Sequence, residues 1–294
     1  VDAGGNFLTV EANGLSFEVL TAGSGDRLAL CLHGFPEHAI SWRNQIPVLT
    51  ELGYRVWAPN QRGYGRTSRP DSVADYDLEF LLADVAALID ASGARSVTLL
   101  GHDWGAAVAW LFAIRRLREL ERLVIMNVPH PKVFTKALKT SRRQQLRSWY
   151  MAFFQLPWLP EALLGLDGAR AIGRAFTSSA CDRSAFPRDV IDFYRAQASE
   201  PGALRAMLAW YRAAARGGMA AQMRLGLPNI EVPTLMLWGE EDVALGKETT
   251  YGTHRYVDDL QIHYLPGASH WVQQDAYLRV NEELTRFLTL TPSN

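Results

Sequence analysis

Five residues, Gly101-His102-Asp103-Trp104-Gly105, lie between an apolar run at 96–100 and an Ala-rich run at 106–111. A strand, a sharp turn and a helix in that order hold a nucleophile on a strained backbone above a sheet, and the flanking glycines leave the chain room to turn. Hydrolases of esters carry Ser at this apex; here it is Asp103. A carboxylate is ionised at neutral pH, needs no base to remove a proton, and attacks an alkyl carbon well. The residue type points away from ester or peptide cleavage and toward opening an epoxide or displacing a halide.

Such a nucleophile needs a base to activate water in a second step, an acid to orient that base, and donors for the developing negative charge. Of the seven histidines, His270 in Gly267-Ala268-Ser269-His270-Trp271 follows the last expected strand, and it completes the chain order nucleophile, acid, base. His33 and His102 flank turns, where a turn hydrogen bond is the simpler role. Trp238-Gly239-Glu240-Glu241-Asp242 ends the preceding strand; Asp242 is the candidate acid and Glu241 its nearest rival. Asn127 ends the strand before that, but an amide cannot supply the charge that stabilises an imidazolium. The expected donors are the backbone N–H groups of Trp104, just after the nucleophile, and of Phe35 in His33-Gly34-Phe35-Pro36. An opening epoxide also leaves an alkoxide that needs a proton. Tyr150 and Tyr211 are phenols that could supply it, although a tyrosine on an aromatic helix often does no more than pack.

These groups are far apart in sequence, and the elements between them must bring them together. Residues 7–22 alternate apolar and polar around Asn13-Gly14, a hairpin signal. Residues 28–32 form a short continuous apolar run, as in a strand buried on both faces. A helical stretch follows at 42–52, a strand at 54–59, a Gly-rich turn at 60–66, a helix at 78–91 and the strand into the elbow. Another strand is expected at 120–127. Alternating strand and helix imply a parallel sheet with helices on both faces, an α/β architecture. From 130 to 229 no strand pattern appears, and Arg, Ala and aromatic residues recur at helical spacing. Strands resume at 234–238 and 261–265, and a helix closes the chain at 276–288. The expected organisation is a core of 1–129 and 230–294 with a helical cap of 130–229 over the strand ends, where such sheets bind ligands.

The 294 residues are 48% hydrophobic and 21% charged, with a formal net charge of -1, so neither a nucleic acid nor an anionic membrane is suggested as partner. Cys31 and Cys181 are the only cysteines, too few for a disulfide framework. No signal peptide or membrane-spanning stretch is evident, which makes the cytoplasm the expected location. No His/Cys cluster has metal-ligand spacing, and Gly63-Tyr64-Gly65 lacks a full phosphate-binding fingerprint. Neither metal nor cofactor is expected.

Taken together, His-Gly-Phe-Pro, Gly-His-Asp-Trp-Gly, the settings of Tyr150 and Tyr211, Gly-Glu-Glu-Asp and Ser-His-Trp resemble the epoxide hydrolases of the α/β-hydrolase fold, in the right order from 33 to 271. The resemblance implies that Asp103 forms an alkyl-enzyme ester and that His270 with Asp242 activates the water that hydrolyses it. It also implies that Tyr150 and Tyr211 bind the epoxide oxygen. Trp42, Trp149, Phe153, Phe154, Leu156 and Met207 are the expected pocket walls, suited to a hydrophobic epoxide. A haloalkane or haloacid dehalogenase is the nearest alternative. Haloalkane dehalogenases typically carry Asn where Phe35 stands, and haloacid enzymes use arginines just after the nucleophile, where this chain has Trp104, Ala106 and Ala107. A serine esterase would need a Gly-x-Ser-x-Gly that does not occur, and an inert binding module would tend to have lost part of the set. The aromatic cap could also present a homodimer interface.

Overall fold

The computed structural model describes residues 1 and 3–289. Among these residues eight strands form one sheet: β1 (Asn6–Ala12), β2 (Leu15–Ala22), β3 (Arg27–Leu32), β4 (Arg55–Pro59), β5 (Ser96–His102), β6 (Arg122–Met126), β7 (Thr234–Gly239) and β8 (Leu260–Leu265). Their spatial order is β1-β2-β4-β3-β5-β6-β7-β8. β1 and β2 form the antiparallel hairpin, with Asn13 and Gly14 both at positive φ as a tight two-residue turn requires. β2 is antiparallel to β4, and every later pairing is parallel. The central strands are buried along almost their whole length, which accounts for their unbroken apolar runs.

The helices are α1 (Ile46–Glu51), α2 (Leu78–Ser92), α3 (Trp104–Arg115), α4 (Pro131–Thr140), α5 (Arg142–Arg147), α6 (Trp149–Phe153), α7 (Leu159–Ser179), α8 (Arg188–Ser199), α9 (Ala203–Ala213), α10 (Met219–Arg224), α11 (Val272–Asp275) and α12 (Tyr277–Thr289). α3 is apolar nearly all round and buried accordingly. The stretch expected to be helical at 42–52 is shorter: a single turn at Ala39–Trp42 and then α1. α4 to α10 all fall between β6 and β7, and this insert is the cap. We propose 130 and 229 as its limits. His130 caps α4 through its ring nitrogen, and Ile230 already bridges to Val257 of the core. No helix among the described residues is long and apolar enough to cross a membrane.

Strand order places the chemistry. The chain moves from β3 outward to β4 and then back across β3 to β5. Loops leaving β3 and β5 therefore diverge from neighbouring strand ends and open a crevice between them. β3, β5, β6, β7 and β8 lie side by side, so the loops after five parallel strands crowd one edge.

Candidate active site

Asp103 sits at the turn from β5 into α3 with φ 48° and ψ −123°, outside the regions a non-glycine residue ordinarily occupies. The turn is held by close backbone packing. A Cβ on Gly105 would lie 2.1 Å from the Leu32 carbonyl oxygen, and one on Gly34 would lie 2.2 Å from Asp103 Cβ. Both glycines are there because their neighbours touch them. Since β3 pairs with β5, the loop after β3 runs beside the elbow, and Phe35 N–H donates to Asp103 Oδ1 at 2.7 Å. Trp104 opens α3, where the first N–H groups have no partner within the helix.

His270 follows β8 and Asp242 follows β7. His270 Nδ1 donates to Asp242 Oδ2 at 2.7 Å, and its Nε2 faces Asp103 Oδ2 at 3.4 Å. Asp242 Oδ1 accepts from Ala244 N–H and Leu245 N–H at 2.7 and 2.8 Å. Glu241, the rival acid, is exposed. Burial alone would lower the His270 imidazole, but Asp242 and Asp103 outweigh it and hold the ring well above its ordinary value. For the two carboxyls burial acts upward, yet the contacts with His270 leave both below the usual range.

Three residues that the sequence did not single out for chemistry complete this frame. Asn127 Nδ2 donates to Asp242 Oδ2 at 2.7 Å and its Oδ1 accepts from Gly239 N–H at 2.9 Å. An amide where an acid could stand thus holds the acid. Glu37 and His102 are fully buried beneath the site: His102 Nδ1 lies 2.8 Å from Glu37 Oε2, and its Nε2 donates to the His270 carbonyl at 2.8 Å. Glu37 also accepts from Gly34 N–H at 3.0 Å. His102 is more than a turn residue, since it links the elbow to the loops carrying Phe35 and His270. The only advance signal was adjacency, Glu37 to the His-Gly-Phe-Pro turn and His102 to Asp103. His33 does bond its own turn, through Gly34 O at 2.9 Å.

Over Asp103 lies a cavity of about 430 Å³. Asp103 and Trp104 form its floor. Tyr150 from α6 and Tyr211 from α9 enter its wall, their ring centroids 6.1 Å apart and nearly perpendicular. Burial pushes both phenols far above their usual range, and the Asp103 charge adds to this. They are therefore protonated donors at neutral pH. The rest of the lining is almost wholly apolar, including Phe134 and Leu138 of α4, Met151, Ala215 and Met219.

None of the six expected wall residues lines this cavity. Trp42 is fully buried in the core, and Met207 is buried within α9 packing. Trp149 (65% exposed) and Leu156 (44% exposed) face outward, and Phe153 packs half-buried against the core, its ring tilted beside that of Trp149. Phe154 is buried against Phe35, Tyr150 and Tyr211, so it supports the phenols instead. Of α6, it is Tyr150, Met151 and Ala152 that line the cavity. Among the described residues no group of three or more His, Cys, Asp or Glu side chains could hold a metal ion.

Residues 30–277 match the family model for the alpha/beta hydrolase fold. The chain is 38% identical to AB hydrolase superfamily protein YfhM of Bacillus subtilis over 95% of its own length and 96% of that protein. It is 35% identical to Epoxide hydrolase 4 of Homo sapiens over 96% of its length and 78% of the relative. The chain belongs to the epoxide hydrolases of the α/β-hydrolase fold. Among solved α/β-hydrolase structures, that of a Bacillus megaterium epoxide hydrolase in complex with an inhibitor superposes with a TM-score of 0.89 at 28% identity, covering 96% of this chain and all of that one. An α/β-hydrolase with Asp at the elbow and two cap phenols above it is built for attack on carbon, and its Phe35 side chain offers no donor to a departing halide.

Proposed function

We propose that this enzyme converts a hydrophobic epoxide to a vicinal diol in two steps. The single observation that carries the reading is the convergence of a carboxylate nucleophile, a carboxylate-held imidazole and two protonated phenols on one apolar cavity. Tyr150 and Tyr211 hydrogen-bond the epoxide oxygen. Asp103 Oδ2 attacks a ring carbon from behind; a C–O bond of the ester forms, the ring C–O bond breaks, and its electron pair stays on oxygen, which takes a proton from a phenol. Oδ1, held by Phe35 N–H, becomes the ester carbonyl oxygen.

In the second step His270, oriented by Asp242, takes a proton from water, and the hydroxide adds to the ester carbonyl carbon. The N–H groups of Phe35 and Trp104 receive the oxyanion. Collapse breaks the ester C–O bond, returns Asp103 to its carboxylate and releases the diol, with the protons restored to oxygen and phenol. Among the described residues the cavity lining carries no charge besides Asp103, which favours an apolar, aryl- or alkyl-bearing substrate. A cytoplasmic location and a homodimer remain expectations of the same reading.

The test is a single turnover of styrene oxide with excess enzyme in water enriched in oxygen-18. Diol with an unlabelled new oxygen is expected, since that atom comes from Asp103. Fully labelled diol means direct attack by water and overturns the ester route; absence of diol overturns the epoxide reading.

A further inference from the structure

Tyr150 and Tyr211 lie on separate cap helices, and α6, which carries Tyr150, has only five residues. An isolated helix of that length has no stability of its own, so the spacing of the phenols must be set from outside. Two side chains to which the chemistry gives no task make the connection: Arg212, next to Tyr211, and Gln155, which follows α6 and reaches the edge of the cavity. Arg212 is 6% exposed and points away from the cavity into the turn that follows α6. Its Nε donates to Phe154 O at 3.0 Å and its Nη2 to Leu156 O at 2.7 Å. Both terminal nitrogens donate to the Glu161 carboxylate, at 2.5 and 3.0 Å. From the other side, Gln155 Nε2 donates to Met151 O at 2.9 Å and to Tyr211 O at 3.3 Å. The ring of Phe154 fills the space between, 4.9 Å from Tyr211 and 5.7 Å from Tyr150.

We propose that Arg212 and Gln155 are positioning residues that clamp the two tyrosine segments together, so that both hydroxyls reach one epoxide oxygen. The inference rests on the functional reading above and adds to it a task for Gln155 and for Arg212. Only a planar guanidinium meets two carbonyls and a carboxylate at once; an ammonium is a point charge on a flexible stem. The clamp acts on ring opening, in which the phenols take part, and leaves ester hydrolysis to His270 and Asp242.

Rapid-quench single turnovers, with the Asp103 ester followed by intact-protein mass, separate the two steps. Arg212→Lys is expected to slow ester formation roughly tenfold to a hundredfold, because a displacement of about 1 Å costs on the order of a hundredfold. Ester hydrolysis is expected to stay within about twofold, as no group of that step has moved. Glu161→Gln, which preserves bulk and lies outside the cavity lining, should slow the same step by a smaller factor and carries the test if Arg212→Lys does not fold; Gln155→Leu, at a residue that also lines the cavity, should slow it too. Equal losses in both steps, or unchanged ester formation, overturn the clamp. Tyr150→Phe and Tyr211→Phe are run alongside. If these leave ester formation unchanged, the functional reading fails and takes the clamp with it. If they slow it while the clamp variants do not, the positioning inference alone fails.

Discussion

His270 lies between two carboxylates, Asp242 at 2.7 Å and Asp103 at 3.4 Å, and ester formation abolishes the charge on Asp103. Both anions raise the imidazole, so in the proposed cycle alkylation removes one of the two and His270 gives up its proton more readily. The base is thus readied by the step that creates its substrate. Replacing His270 with Gln should leave ring opening intact and stall hydrolysis, so that mass spectrometry finds a substrate-sized adduct on Asp103; unmodified protein with lost turnover would contradict the role. Asp242→Asn removes an anion that raises His270. Ester hydrolysis, which requires neutral His270, should therefore rise with pH about a lower midpoint than in the parent, while its plateau falls by about a hundredfold or more. A midpoint unchanged or moved to higher pH would show that Asp242 does not govern the base. Asp103 was legible because a strand, a turn and a helix announce themselves within a dozen residues. Tyr150 and Tyr211 were proposed only through resemblance, since their spacing equally suits packing.

At the scale of elements, the segment beyond Tyr211 shapes the cavity. α9 passes into a widened turn at Ala214–Gly218, with Gly217 at φ 125°, before α10 begins. Ala214 and Ala215 lie one helical turn past Tyr211 and line the cavity with Met219. Their small side chains leave the volume that a bulky substituent would occupy. Ala215→Phe should lower kcat/KM for a bulky aryl epoxide about tenfold or more, with little change for the smallest aliphatic epoxides. An equal loss on both would mean that Ala215 does not bound the substituent site. The sequence misassigned the walls because helical periodicity identifies an apolar face but not its partner. Trp149 at the start of α6 faces outward and Phe153 packs half-buried against the core, while the lining comes largely from α4 and from Tyr150, Met151 and Ala152 of α6, where small residues, lysines and single apolar residues drew no attention.

Across the whole molecule, the site exists only while cap and core stay in register. Trp210 is buried where they meet: its indole Nε1 donates to Arg62 O at 3.1 Å and its ring packs against Trp104 and Tyr64. Arg62 is itself buried, held by two bonds to Asp84 at 2.6 and 2.7 Å. Trp210→Phe deletes one buried hydrogen bond and part of a ring, and should reduce unfolding stability by about 1–3 kcal/mol. Urea denaturation followed by circular dichroism checks this, and an unchanged midpoint would mean that the junction adds nothing to stability. The alternation of strands and helices, the elbow and the inserted helical segment were all readable, because each is written in local periodicity and in turn residues whose backbone demands are their own. The residues that frame the site were not. Asn127, Glu37, His102, Gln155 and Arg212 act through partners distant in sequence, and what each side chain meets is decided by which strand ends lie side by side and how the cap seats upon them. Sequence alone thus determined the fold class and the identity of the nucleophile. Tertiary structure decided which acid holds His270, which phenols line the cavity, and where the cavity lies, because those depend on distances that no local preference encodes.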